Sequence, residues 1–142
     1  MQKYLLSISI LLLTLFALPA MGQKQPVFPD SAGQKVKYNA TIEMKKGYLS
    51  GVCILANDGE QIKGCLFNEF GISALDFTYS PARDKVKLVN VIKMLDKWYI
   101  RKVLKKDLVQ LMHNLAKGIP DYQDKRFNID YKFTLLEDAT EE

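Results

Sequence analysis

From Val36 to Tyr79, large apolar side chains recur at every second position, and only short polar or glycine-containing segments interrupt them. A period of two sends alternate side chains to opposite faces of a strand, so this stretch must fold as successive β-strands joined by tight turns. Val36, Tyr38, Ala40, Ile42 and Met44 alternate with Lys35, Lys37, Asn39, Thr41, Glu43 and Lys45, the pattern of a strand with one dry and one wet face. Gly47 ends that run, and the runs Tyr48–Ala56, Gln61–Asn68 and Ile72–Tyr79 follow. The links Asn57-Asp58-Gly59 and Glu69-Phe70-Gly71 suit three-residue hairpin loops closing on a left-handed glycine, which places Phe70 at the middle of a tight loop.

Loops of that length put Ala56 opposite Glu60 and Asn68 opposite Ile72. Leu49, Cys53, Leu55, Cys65, Phe67, Leu75, Phe77 and Tyr79 then share one face, and Val52, Ile54, Ile62, Leu66, Ile72 and Ala74 the other. Strands apolar on both sides need cover on both sides. A strongly curved sheet with a helix packed on it provides that cover, and Gly51 and Gly64 are the places for the bend. In this register Cys53 and Cys65 are diagonal neighbours, about 7 to 8 Å apart. A disulfide prefers less, about 4.4 to 6.8 Å between Cα atoms, so two free thiols are favoured over a bridge.

A fifth strand is expected over Lys85–Met94, after which the period changes. Between Lys97 and Lys117 the residues Ile100, Val103, Leu104, Leu108, Leu111, Met112 and Leu115 fall three and four apart, along one side of a helix. Asp96 suits the N-cap, and Gly118 with Pro120 the stop. A last strand, Arg126–Leu136, alternates again and must rejoin the sheet. The expected fold is α+β and mainly antiparallel: a curved sheet of about six strands with one long helix on it. It spans residues 34–136 as one domain, between an irregular lead-in (23–33) and an acidic tail (137–142).

Residues 1–22 have the form of a secretory signal peptide. Lys3 precedes an apolar run from Tyr4 to Leu18, and Ala20-Met21-Gly22 supplies small residues at a cleavage site. The expected product is a periplasmic or secreted chain with no transmembrane helix. Its balance is mild: 20 Lys and Arg less Lys3 leave 19 against 16 Asp and Glu, or +3. The charges are interleaved and no nucleic-acid motif is present, so nucleic acid is not an expected partner.

Nothing in the sequence assembles a catalytic, cofactor or metal site. His113, the sole histidine, falls on the lysine side of the helix, and Glu69 and Asp76 do not form an acid–base pair with a defined partner. Lys102, Lys105 and Lys106 could face anionic headgroups, but an ordinary wet helix face is the favoured reading. The expectation is a protein that is not an enzyme.

The signal peptide, the Lys-Gly-Tyr-Leu-Ser-Gly start of the second strand (residues 46–51), the hairpin "LFNEFGISALDF" and the helix entry "MLDKWYIRKVLKKDLVQLM" together resemble the lipoprotein-localisation carrier superfamily of Gram-negative envelopes. The similarity covers about residues 36 to 117. It implies a half-open antiparallel barrel closed by helix over an apolar cavity, and a lipid or acylated lipoprotein as ligand. Leu49, Phe67, Phe70, Leu75, Phe77 and Tyr79 are the candidate lining residues. The chain is shorter than the usual carrier, so the alternative is a non-catalytic envelope module that binds a protein partner and whose sheet is filled by its own helix. Under either reading the leader should be cleaved after Gly22. Intact-mass measurement of the exported protein is expected to give a chain beginning at Gln23, and recovery of the uncleaved chain in membranes would overturn the assignment.

Overall fold

The computed structural model describes residues 26–45 and 47–136; the expected leader, residues 1–22, and the acidic tail, 137–142, lie outside the described residues. The strands are β1 (Lys35–Met44), β2 (Gly47–Asn57), β3 (Ile62–Phe67), β4 (Ser73–Ser80), β5 (Lys85–Val91), β6 (Asp121–Asp124) and β7 (Ile129–Leu135), with helix α1 (Trp98–Ala116) between β5 and β6. They form one antiparallel sheet in the order β5-β4-β3-β2-β1-β7-β6. The sheet curls into a half-barrel. Helix α1 lies against β5 and β6, the two edge strands, and so occupies the gap that the curl leaves open.

Curvature follows from the two expected glycines. A Cβ at Gly51 would stand 1.8 Å from the carbonyl oxygen of Phe67, so only glycine lets β2 and the end of β3 fold this closely together. A Cβ at Gly64 would lie 2.3 Å from Cζ of Phe77, the residue paired with it across β3 and β4. The Phe77 ring thus covers the bare backbone of Gly64.

The first four expected strands are present and the fifth stops at Val91 rather than Met94, but the face of β3 is the reverse of that expected. The β2–β3 loop has four residues, with Asn57 paired to Ile62. Asp58 fixes that length: its Oδ1 accepts from the amides of Glu60 (2.9 Å) and Gln61 (2.8 Å). The extra residue inverts β3, because a one-residue slip exchanges the two faces of a strand. Ile62 and Leu66 are buried inside, while Cys65 and Phe67 face outward. The β3–β4 loop is the expected one, with Phe67 opposite Ser73, and a bulge then shifts the register so that Leu66 meets Leu75. Two shifts cancel, and Leu75, Phe77 and Tyr79 point inward as expected. Cys53 is buried, Cys65 is half-buried on the opposite face, and both are free thiols.

Beyond the helix the expected single strand is a hairpin. β6 was not anticipated because its four residues, Asp-Tyr-Gln-Asp, carry one apolar side chain and no alternation. The segment Arg126–Asn128, expected to open the last strand, is the turn, with Asn128 at φ 56° and the amide of Phe127 bonded to Asp124 Oδ1 at 3.1 Å. The lead-in is also anchored: Phe28 is buried and Tyr38 Oη donates to the Val27 carbonyl at 2.5 Å.

The helix begins without the expected Asp96 cap; Asp96 Oδ1 instead accepts from Arg101 Nη1 at 2.9 Å. It ends as expected on Gly118, at φ 83°, whose amide bonds to Leu115 O (3.0 Å) while that of Ile119 bonds to Asn114 O (2.8 Å). Leu104, Leu108, Leu111, Met112 and Leu115 are buried in one cluster with the inward residues of the strands. His113 leaves the lysine side: its Nε2 lies 2.6 Å from Asp84 Oδ1, which also accepts from Tyr79 Oη at 2.7 Å. Changing Leu108 or Leu111 to Ala should therefore cost about 2 to 5 kcal/mol in denaturant unfolding. Exposed Lys105 changed to Ala should stay within about 0.5 kcal/mol, and equal effects at the three positions would contradict this packing.

Candidate functional site

The concave side of the half-barrel is filled. Among the residues expected to line a cavity, Leu49, Leu75, Phe77 and Tyr79 do share that face, and each is buried against the helix or its neighbours in the core cluster. Phe67 is on the outer face instead, in a groove of about 590 Å³ bordered by Ile54, Lys63, Cys65, Asp76 and Val89. The polar side of this groove is self-satisfied: Ser73 Oγ donates to Asp76 Oδ1 at 2.6 Å and lies 3.6 Å from Cys65 Sγ. Phe70 touches neither place. Asn68 Oδ1 accepts from the amides of Phe70 (2.9 Å) and Ile72 (3.0 Å), and the closed loop presents the Phe70 ring to solvent at 78 % exposure.

The antiparallel register brings the turn after Met44, the β3–β4 loop, the β5–α1 connection, the first turn of α1 and the β6–β7 turn to one end of the half-barrel. Most large apolar side chains that the fold leaves exposed stand there, among them Tyr48, Phe70, Met94, Trp98, Tyr99 and Phe127. Burial of such groups is the main driving force of folding, so their concentration at one end makes that end the candidate site. A cleft of about 280 Å³ opens in it, between α1 and the β6–β7 turn, lined by Trp98, Tyr99, Lys102, Val103, Lys106, Arg126 and Phe127, with Asp124 at its base. Trp98 and Tyr99 meet edge to face, ring centres 5.7 Å apart, and the Arg126 guanidinium carbon lies 5.5 Å from the centre of the Phe127 ring.

Behind the cleft is a carboxyl pair. Asp107, on the inner side of α1 and 1 % exposed, accepts from Tyr131 Oη at 2.8 Å and faces Asp124 of β6, with Tyr122 nearby. Burial first, and then the hydrogen bond with Asp124, push Asp107 up to about 7, against the opposing pull of Tyr131 and Lys106. With Tyr131 on β7 and Asp124 on β6 beside it, Asp107 ties the helix to the terminal hairpin. Sequence reasoning singled out Phe70, Lys102 and Lys106 separately but did not assemble this end, because its parts come from four connections and the first turn of α1. The available signals were the adjacent Trp98-Tyr99 at a helix start and Lys125-Arg126-Phe127 in a turn.

The chain matches no known family, no curated protein and no solved structure.

The carboxyl pair gives a pH dependence of defined sign. The folded chain holds the Asp107 proton more tightly than the unfolded chain, whose carboxyl titrates near about 4. This contribution to stability is therefore complete below that value and is lost as pH rises toward about 7. Asp107→Asn keeps a donor toward Asp124 and an acceptor for Tyr131, so its melting temperature should lack the part of the decline between about pH 4 and about pH 7 that wild type shows. An identical decline in both proteins would remove Asp107 as its origin.

Proposed function

We propose that this is an exported envelope module that works by binding at its surface, through the aromatic and basic end of the half-barrel, and that performs no catalysis. The observation that carries this reading is the filled concavity: Leu104, Leu108 and Leu111 are each 0 % exposed and pack in one cluster with Leu75 and Phe77. A carrier needs room there for an acyl chain, and small-molecule sites occupy about 300 to 1,000 Å³. The leader sequence supports export. The curled antiparallel sheet closed by a helix supports the resemblance to the lipoprotein-localisation carriers as a matter of architecture, while the packed helix favours the module over a lipid cargo held inside.

Phe77 separates the two readings, because its ring lies over Gly64 in the centre of the inner face. In a filled core, Phe77→Asn removes an aromatic ring and buries an amide, a loss on the order of 3 to 5 kcal/mol for the ring alone. The expected result is a collapsed melting temperature, together with native mass spectra of envelope-purified wild type that contain no lipid. Lipid bound to wild type, lost in a Phe77→Asn variant that still melts normally, would restore the carrier and reject the module.

A further inference from the structure

The cleft at the aromatic end is the feature that neither the core nor the carrier resemblance accounts for. Its walls combine three exposed rings with three cations, Lys102, Lys106 and Arg126, and none of these three ammonium or guanidinium groups is in an ion pair among the described residues. The surrounding connections extend the same chemistry. Lys45, Lys93, Lys97 and Lys125 stand exposed there against Glu43, Glu69, Asp96 and Asp130, and Asp96 is already paired with Arg101. At the opposite end, the exposed acids Asp30, Asp58, Glu60, Asp84 and Asp121 are matched by exposed Lys35, Lys63, Arg83, Lys85 and Lys117, with Lys63 3.7 Å from Asp58. The small net positive charge of the chain is therefore concentrated at the end that carries the rings.

Resting on the surface-binding reading above, we infer that this end docks on an anionic lipid bilayer, with a phosphate-bearing headgroup drawn into the cleft between Lys102, Lys106 and Arg126 and the Trp98, Tyr99 and Phe127 rings at headgroup depth. Charge complementarity orients the molecule, since a negative lipid surface attracts the positive end more strongly than the near-neutral opposite end. The mixture of side chains selects a bilayer over a protein partner. The centres of protein interfaces are depleted in Lys, whereas here lysines stand among the rings. Tryptophan and tyrosine interspersed with long cationic side chains are what a membrane–water boundary accommodates, the rings lying at the headgroups and the cations reaching the phosphates. The cleft, at about 280 Å³, is in scale with one headgroup and too small for a lipid with its chains.

Trp98 is the sole tryptophan and is 77 % exposed, so its emission reports docking directly. The protein recovered after export is mixed with vesicles of phosphatidylcholine alone or with phosphatidylglycerol added, and is followed by Trp98 emission and co-sedimentation. Binding with a blue shift on the anionic vesicles only, reversed by salt, is expected. Lys102→Gln combined with Arg126→Gln removes two cations worth about fivefold each, and should weaken partitioning about 25-fold with the melting temperature unchanged. Because these variants keep the same N-terminus, any leader residue left on the chain contributes equally. Trp98→Phe, followed by sedimentation alone, should retain salt-sensitive binding. An unshifted emission with the protein left in the supernatant would overturn the inference, as would equal binding to neutral vesicles or no effect of the double variant. Capture of a defined protein at this end without vesicle binding would also overturn it and leave the module reading intact. The module reading itself fails only through lipid found in the core.

Discussion

The structure depends on one contact, the seating of α1 against both edges of the curled sheet. β5 and β6 are the ends of a seven-stranded ladder, and each would otherwise offer unpaired backbone groups to any passing chain. By lying against both, the helix covers the exposed edges and supplies the apolar side chains that the concave face requires. The glycines make this possible from the other side. Without the close approach of β2 to β3 at Gly51, the sheet would be flatter and one helix could not reach both edges.

Much of this was legible in the chain. Strands with a strict period of two, the apolar spacing of the helix and its Gly118 stop are local signals, and local signals survive folding. The failures came where one residue decides the outcome. Whether the β2–β3 loop has three or four residues turns on Asp58 bonding two successive amides, which no pattern of hydrophobicity records. β6 escaped because it gains its place from pairing with β7, with scarcely any apolar side chain of its own.

The candidate site was far less legible, for a related reason. Phe77 and Leu75 could be placed on one face from sequence, yet whether that face surrounds space or is packed depends on a helix some twenty residues further on. Trp98 and Phe127 are separated by most of α1 and by β6, and only the returning hairpin brings them to opposite sides of one cleft. A surface assembled from connections has no period to detect. Its residues look individually like the scattered apolar exposure that any protein shows.

The paired irregularities around β3 impose a constraint of a different kind. Surface loops commonly gain and lose residues with little consequence. Here the four-residue loop and the bulge between Leu66 and Phe67 are matched in parity, so that β2 and β4 agree on which face is inside while β3 is set between them. Deleting a single loop residue would bring Cys65 and Phe67 into the core and turn Ile62 and Leu66 out to water. The loop is therefore restricted in length, and in side chain at Asp58, which sets that length, and descendants of this chain are expected to change its residue count only in steps that restore the parity.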